Sequence, residues 1–260
     1  MYGGILLPIV RIFSIPIPTY YLIISIVVVI CLLWITRRAK KFDLPIATIL
    51  DLSLIIMVFG FVGGRLMHVF YESFDYYQED FLRIFYFWDG GFVFYGGALL
   101  AAVFGALFLQ FKDSQNFEKY LDALAPVLSL SYAMGRIACL FAGCCYGRFC
   151  DLPWAVEGRH PTQAYASLWE FATLFVLLGF ESVSAKHRRP HKFGRSGNIF
   201  FLWMVLHGVG RLIMEYFRDD FRGPTWGISI SSWLSFLIII LGLYLLLRRS
   251  PTSGSITTSS

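Results

Sequence analysis

The chain has 260 residues, of which 57% are hydrophobic, 18% aromatic and only 15% charged, and its mean hydropathy is +0.64. Soluble globular proteins carry about 25% charged residues, so this composition excludes a disordered chain, a small disulfide-stabilised domain and an ordinary soluble enzyme. Lys and Arg at the ends of membrane helices explain the net charge of +5, and no nucleic-acid partner is expected.

Seven apolar runs, separated by charged segments, predict an all-α integral membrane protein with seven transmembrane helices. Each run is long enough to cross about 30 Å of hydrocarbon as a helix. The predicted spans are Tyr20–Thr36, Pro45–Phe70, Phe92–Phe111, Tyr120–Ala142, Gln163–Phe180, Asn198–Tyr216 and Ile228–Leu247. Residues 1–249 are therefore expected to form one membrane domain, and the Ser- and Thr-rich residues 250–260 a disordered tail.

The basic residues are unevenly distributed between the two sides of these spans. Thirteen Lys and Arg follow the first, third, fifth and seventh spans, whereas six lie on the other side, together with an acidic segment between the second and third spans. Because basic residues concentrate on the cytoplasmic side of membrane proteins, we expect the N-terminus outside and the C-terminus, with its tail, in the cytoplasm.

Three arginines lie within the predicted spans, namely Arg65, Arg136 and Arg211. Each follows a glycine and falls in the outward half of its helix. An arginine in hydrocarbon costs at least about 2.5 kcal/mol, so each needs a partner, a cavity or a bound anion. Three forked donors at one depth would form a phosphate site toward the outer leaflet.

Pairing with nearby acids is the alternative interpretation of these arginines. Glu215 lies four residues after Arg211, on the same helix face. Arg65 is close in sequence to Glu72 and Asp75. Arg136 has no acid within four residues, which favours the anion-binding interpretation for this residue.

A glycine-rich block begins the third span. Two glycine pairs, the second of which contains Gly97, flank a short aromatic stretch that includes Tyr95. The pattern is typical of an interfacial aromatic belt with close helix packing. It is also compatible with a phenol placed in a cavity, since irregular backbone at membrane depth survives where it lines one.

Four of the five cysteines cluster after the fourth span: Cys139, Cys144, Cys145 and Cys150. Small packing residues are the commonest role of membrane cysteines. A disulfide of Cys144 or Cys145 with Cys150 is a second possibility if the outside is oxidising. A zinc site with His160 as the fourth ligand is a third, although the spacing matches no standard pattern.

Two polar segments follow this cluster. The first begins a helix at Pro161 and Thr162, and this helix start leaves His160, Gln163 and Tyr165 unexplained. In the second, His207, Arg211, Glu215 and Arg218 fall at i, i+4, i+8 and i+11, which predicts one continuous helix face. An imidazole one turn from a guanidinium inside a membrane is a functional-site candidate.

Taken in order, these motifs resemble those of bacterial prolipoprotein diacylglyceryl transferases. The resemblance covers Tyr20 to Leu247. Its motifs are Gly64-Arg65-Leu66, the block from Gly90 to Gly97, the segment Gly135-Arg136 to Gly147, the segment His160 to Tyr165, and Gly210-Arg211 to Arg218.

The resemblance implies a seven-helix enzyme of the bacterial inner membrane with its active site toward the outer leaflet. Such enzymes transfer the diacylglyceryl group of phosphatidylglycerol to the lipobox cysteine of a prolipoprotein signal peptide. A thioether forms and glycerol phosphate leaves, without a cofactor or a metal. The implied partners are therefore phosphatidylglycerol, the prolipoprotein and membrane lipids.

The resemblance also assigns roles to residues. Arg136 matches the arginine that binds the phosphatidylglycerol head group, and Arg211 matches a second essential arginine. Glu215 and Arg218 match the family's acid and arginine on the same helix. The other candidate substrate-binding residues lie in the matching motifs: Arg65, Gly97, Cys139, Cys144, Gly147, His160, Gln163 and Tyr165.

The chain departs from the family pattern at four positions. The family usually has a histidine at the position of Tyr95 and a tyrosine at the position of His207, and it usually carries Asn and Glu in place of Cys139 and Cys144. Either His207 or Tyr95 is therefore the candidate general base that accepts the thiol proton, with Arg211 stabilising the departing phosphate.

Two other classes of function are compatible with single features of the sequence. The three arginines within spans could serve a transporter or channel for an anionic substrate, which would also predict polar or broken segments in the largely apolar inner halves of the helices. The cysteine cluster could serve a membrane thiol redox protein, which would lose its function when Cys144, Cys145 and Cys150 become serine.

Overall fold

A computed structural model of the chain describes residues 9–12, 15–186, 196–219 and 228–248. Within these ranges, seven helices are long and apolar enough to cross a membrane, which confirms the predicted fold class. The helices are α1 (Thr19–Lys41), α2 (Ile46–Met67), the short α3 (Phe74–Gln78), α4 (Phe94–Lys112), α5 (Phe117–Ala142), α6 (Thr162–Lys186), α7 (Asn198–Phe217) and α8 (Ile230–Arg248). The tail predicted for residues 250–260 lies outside the described residues.

Shorter elements connect and precede these helices. Strands β1 (Ile9–Ile12) and β2 (Ile15–Pro18) pair antiparallel before α1, a hairpin that the sequence did not predict. A π-helical turn, His68–Glu72, continues α2. Three 3₁₀ turns follow at Phe81–Phe85, Phe87–Asp89 and Ser114–Asn116.

At one end of the bundle, buried Arg38 joins α1 to α5 and α6. Its guanidinium donates to the backbone oxygens of Ala123 and Asp122 at 2.7 and 3.1 Å and to Glu181 Oε2 at 3.0 Å. The Asp122 carboxylate accepts the backbone N–H of Gly197 at 2.6 Å, at the start of α7. The sequence placed Arg38 beyond its span, but α1 continues to Lys41 and carries Arg38 into the bundle. We call this the Arg38 end.

The opposite end, which we call the Arg136 end, depends on close packing of α2 against α4. A Cβ at Gly97 would lie 2.5 Å from the carbonyl oxygen of Gly60, and one at Gly63 would overlap the backbone of Gly96. Small residues let two membrane helices approach this closely. This packing holds the start of α4, which carries Tyr95, beside the ends of α2, α5 and α7.

Candidate active site

Arg136 lies near the end of α5, and it forms no ion pair with a carboxylate of the described ranges. Its Nη2 donates to the hydroxyl of Tyr132 at 2.8 Å, and its guanidinium carbon lies 4.8 Å from the centre of the Tyr132 ring. The Tyr132 contact orients the guanidinium while several of its five N–H donors stay available. Arg136 is therefore suited to bind an anion.

Arg211, on α7, is partly neutralised but keeps an unused donor. Its Nη2 lies 3.2 Å from Glu215 Oε2, which confirms the pair predicted at i+4, and 3.3 Å from the Tyr95 hydroxyl, to which it donates. Its Nη1 is buried and has no hydrogen-bond partner among the residues that the structure describes. A buried charged donor without a partner is costly, which favours an acceptor supplied by a ligand.

His207 is held by an acid that the sequence did not single out. Its Nδ1 lies 2.5 Å from Oε1 of Glu170, on α6, and both residues are buried. The other carboxylate oxygen of Glu170, Oε2, accepts a hydrogen bond from Ser129 Oγ at 2.8 Å. A hydrogen bond at one imidazole nitrogen fixes the tautomer and orientation of the ring. Glu170 therefore leaves Nε2 of His207 as the nitrogen with a lone pair, and no residue of the described ranges forms a hydrogen bond with it.

Aromatic rings enclose this imidazole and connect it to Arg136. Trp203 stacks on His207 with 5.0 Å between ring centres, and Tyr132 meets it edge to face at 4.9 Å. Tyr132, Glu170, His207 and Arg211 line one small cavity of about 10 Å³, which is room for roughly one water molecule. The side chains around His207 are therefore closely packed in this structure.

Arg65 is bound to the backbone rather than to either acid suggested by the sequence. Its guanidinium donates to five carbonyl oxygens that precede α4: those of Arg83 at 2.7 Å, Ile84 at 3.0 Å, Tyr86 at 3.1 Å, Gly91 at 3.2 Å and Gly90. Gly90 and Gly91 have φ of +83° and +76°, a region that glycine enters without strain and that turns their carbonyls toward Arg65. This arginine therefore organises the loop before α4.

Arg218 is not on the helix face that the sequence predicted. Helix α7 ends at Phe217, and Arg218 has extended backbone with φ −84° and ψ 149°. The reason is local strand-like pairing, since Arg218 pairs with Gly147 and the N–H of Arg148 donates to the Phe217 oxygen at 2.8 Å. His207, Arg211 and Glu215 do lie on α7 as predicted.

The segment before α6 also joins the Arg136 end. The Gln163 amide donates to the carbonyl oxygen of Cys144, and His160 Nδ1 lies 3.4 Å from the Tyr165 hydroxyl. A Cβ at Gly147 would lie 2.5 Å from the Phe217 oxygen, so no larger residue fits there. Gly147 and Gly97 both have packing roles in this structure, and Thr162 begins α6 as predicted.

All five cysteines are free thiols, so the disulfide suggested by the sequence is not formed. The sulfur atoms of Cys139, Cys144 and Cys145 lie within 4.8 Å of one another. Hydrogen bonds with Cys139 and Cys144 lower the pKa of the Cys145 thiol, and the charges of Arg218 and Arg136 add to this effect. Cys139 and Cys145 both interact electrostatically with Arg136.

Comparison with known proteins gives the family. A sequence profile described as prolipoprotein diacylglyceryl transferase matches residues 8–248. The phosphatidylglycerol–prolipoprotein diacylglyceryl transferase of Clostridium tetani is 29% identical over 245 residues, covering 90% of this chain and 94% of its own. Proteins of the same name from Idiomarina loihiensis and Streptococcus suis are 34% and 31% identical, covering 74% and 84% of this chain and 74% and 83% of their own. The chain therefore belongs to the prolipoprotein diacylglyceryl transferase family of membrane transferases.

Proposed function

We propose that this protein transfers the diacylglyceryl group of phosphatidylglycerol to the lipobox cysteine of prolipoproteins. The observation that supports this proposal most strongly is a pair of arginines near His207. Among the described residues, Arg136 forms no ion pair with a carboxylate, and the buried Nη1 of Arg211 has no hydrogen-bond partner. Family membership favours this reaction over the transporter and the thiol redox protein.

Arg136 and Arg211 bind the phosphate of the lipid in this proposal. A guanidinium matches phosphate oxygens with parallel N–H donors, and in a site shielded from water such donors stabilise charge strongly. The negative charge on the phosphate grows when glycerol phosphate departs. The Tyr132 and Tyr95 hydroxyls orient the two guanidinium groups before that charge develops.

His207 is the proposed general base. With Glu170 accepting the proton of Nδ1, the lone pair of Nε2 takes the proton of the substrate thiol, and the carboxylate stabilises the imidazolium that forms. The substrate sulfur bonds to the glyceryl carbon that carries the phosphate. The carbon–oxygen bond breaks, its electron pair stays on the phosphate oxygen, and glycerol phosphate leaves.

Tyr95 has a positioning role in this scheme. Its hydroxyl oxygen accepts a hydrogen bond from Arg211 at 3.3 Å, whereas His207 has a buried carboxylate beside it that would stabilise its protonated form. The base is therefore assigned to His207, where the family usually has a tyrosine. The remaining candidates (Cys139, Cys144, His160, Gln163, Tyr165, Glu215 and Arg218) are proposed to shape the substrate site, and Arg65, Gly97 and Gly147 its walls.

The proposed location is the bacterial inner membrane, with the active site toward the outer leaflet. Two observations support this orientation. The basic residues concentrate on the side of the Arg38 end, and the candidate site lies at the opposite, Arg136 end of the bundle. The outer leaflet is also the side from which a signal peptide with its lipobox cysteine would be presented.

Measuring both products of the reaction, the diacylglyceryl peptide and glycerol phosphate, tests the proposal. Purified protein in detergent is incubated with phosphatidylglycerol and a lipobox peptide, and mass spectrometry follows the peptide while an enzymatic assay follows glycerol phosphate. We expect one diacylglyceryl adduct per glycerol phosphate released and no adduct on a peptide with serine in place of its cysteine. Acyl transfer without glycerol phosphate, or no reaction by folded protein, would contradict the proposed reaction.

A further inference from the structure

Three thiols meet at the end of α5, and none of them gains or loses a bond or a proton in the proposed transfer reaction. The sulfurs of Cys139, Cys144 and Cys145, which we call the thiol cluster, all lie within 4.8 Å of one another. The Cys144 and Cys145 sulfurs are 3.6 Å apart. The zinc site with His160 as a fourth ligand is not formed among the described residues, because only the three sulfurs come together and His160 contacts Tyr165.

The backbone holds the thiol cluster in place. The N–H of Cys144 donates to the Cys139 oxygen at 3.2 Å and closes the last turn of α5. The carbonyl oxygens of Cys144 and Cys145 accept hydrogen bonds from the side chains of Gln163 and Thr162, the latter at 2.8 Å. Cys145 has a φ of +65°, which costs a residue with a side chain about 1 kcal/mol or more. Its surroundings maintain this conformation and keep its sulfur with the other two.

The spacing of the three sulfurs suits a metal ion at their centre. Three metal–thiolate bonds of about 2.3 Å in one plane would place the sulfurs about 4.0 Å apart. The sulfurs of Cys144 and Cys145 are 3.6 Å apart, and all three sulfurs lie within 4.8 Å of one another. The observed spacing is therefore close to that of three thiolates around one ion.

We propose that the thiol cluster is a binding site for a soft metal ion, and that Cu(I) is the ion it fits. Three sulfur ligands select thiophilic ions such as Cu(I) and Zn(II). Zinc sites almost always have four ligands, and no His, Cys, Asp or Glu of the described ranges joins the three thiols as a fourth. Cu(I) is satisfied by three thiolates, and binding releases the thiol protons. Arg136 and Arg218 interact electrostatically with Cys145 and offset the negative charge of the thiolates.

Occupation of the cluster has a consequence that depends on the proposed function. Cys139 lies one helical turn from Arg136, so a metal–thiolate group carrying net negative charge would attract the guanidinium that is assigned to the lipid phosphate. Cu(I) would then inhibit transfer by competing for Arg136. The family's usual Asn and Glu at positions 139 and 144 would not bind this ion, since amide and carboxylate oxygens are hard ligands.

The experiment measures copper on the purified full-length protein, without oxygen and with the thiols reduced. Cu(I) is supplied in a chelator that competes for it, and the metal content and the sulfur-to-copper charge-transfer absorption are recorded. We expect one Cu(I) per chain in the wild type and in the controls Cys31→Ser and Cys150→Ser. Cys145→Ser, and the triple variant with serine at all three positions, should bind at least about tenfold more weakly, because even a partner outside the coordination sphere is worth roughly that much.

Thermal unfolding checks that each variant is folded, and the wild-type stoichiometry stands independently of the variants. Absence of tight Cu(I) binding by the reduced wild type would overturn the site. Equal copper content in the triple variant and the wild type would do the same. Cu(I) binding is measured without phosphatidylglycerol or peptide. A protein that does not bind copper can therefore be distinguished from one that does not catalyse transfer. Stoichiometric copper with undiminished transfer would overturn only the inhibitory consequence.

Discussion

His207 Nδ1 lies 2.5 Å from Glu170 Oε1, at the contact between α7 and α6. A carboxylate that is only 2% exposed inside an apolar bundle needs compensating hydrogen bonds. Glu170 obtains them from His207 and from Ser129. In return, the imidazole has one fixed orientation beside Arg211 and Tyr132.

Replacing Glu170 with glutamine should reduce kcat by about tenfold or more, because the neutral amide removes the charge that stabilises imidazolium and its NH2 group can donate to Nδ1, which reverses the tautomer. KM for phosphatidylglycerol should change little, since no hydrogen bond or ion pair joins Glu170 to Arg136 or Arg211, the two arginines proposed to bind the phosphate. Steady-state kinetics of Glu170→Gln measures both parameters. Glu79→Gln, an exposed acid paired with Arg83, is the matched control. A raised KM with unchanged kcat would contradict a positioning role.

Substitutions of Tyr95 and His207 should reduce the rate of transfer by different amounts, which identifies the general base. Tyr95→Phe removes one hydrogen bond from Arg211, a loss of about 0.5–1.5 kcal/mol, so transfer should fall by about two- to tenfold. His207→Gln removes the proposed base and should cost about 10²- to 10⁴-fold. Transfer rates under saturating peptide compare the two variants. The reverse order of effects would assign the proton transfer to Tyr95.

Gly97 and Gly60 make a matched pair of substitutions at the contact between α2 and α4. A Cβ at Gly97 would lie 2.5 Å from the Gly60 oxygen, whereas a Cβ at Gly60 meets no atom within 4 Å. Gly97→Ala should therefore lower stability by about 1–3 kcal/mol through overpacking. Gly60→Ala should be neutral or stabilising by up to about 1 kcal/mol, since alanine is the better helix former. Thermal unfolding in detergent measures both, and equal melting temperatures would refute the packing role of Gly97.

Arg65 should behave as a structural arginine. An ammonium group carries three donors and cannot reproduce contacts to five carbonyl oxygens, so Arg65→Lys should leave buried acceptors unsatisfied at about 1–3 kcal/mol each. We expect a lower melting temperature and faster protease cleavage between residues 73 and 91, with Arg83→Lys as the control. Substantial transfer should persist below the melting temperature. A folded, stable Arg65→Lys protein without transfer would instead favour a role for Arg65 in substrate binding.

The apolar runs predicted the helices because a segment that spans hydrocarbon must consist of about 20 mostly apolar residues, and this is visible in the sequence. The Arg211–Glu215 pair was predictable for a similar reason, since spacing of four on one helix brings side chains together. Arg38 shows the limit of this reasoning. Its position after an apolar run indicated a loop, and only the extension of α1 buries it against α5 and α6.

Glu170 was missed because its partner lies 37 residues away on another helix. One signal was present, since an acid within an apolar span is costly and so needs a partner. The contacts of Arg65 had no such signal. They depend on the path of an irregular loop whose carbonyl directions follow from backbone angles at Gly90 and Gly91, and no residue spacing encodes that path.

Joint binding of the departing phosphate by Arg136 and Arg211, as proposed, is tested by forming the diacylglyceryl adduct on a lipobox peptide. Mass spectrometry would compare the wild type, Arg136→Ala, Arg211→Ala and the control Arg83→Ala, each verified as folded by thermal unfolding. We predict the adduct in the wild type and the control, and a loss of at least about 10²-fold for Arg136→Ala and Arg211→Ala, as for removal of other groups that stabilise developing charge. Near-normal adduct formation by Arg136→Ala or Arg211→Ala would contradict the proposed binding of the phosphate by both arginines.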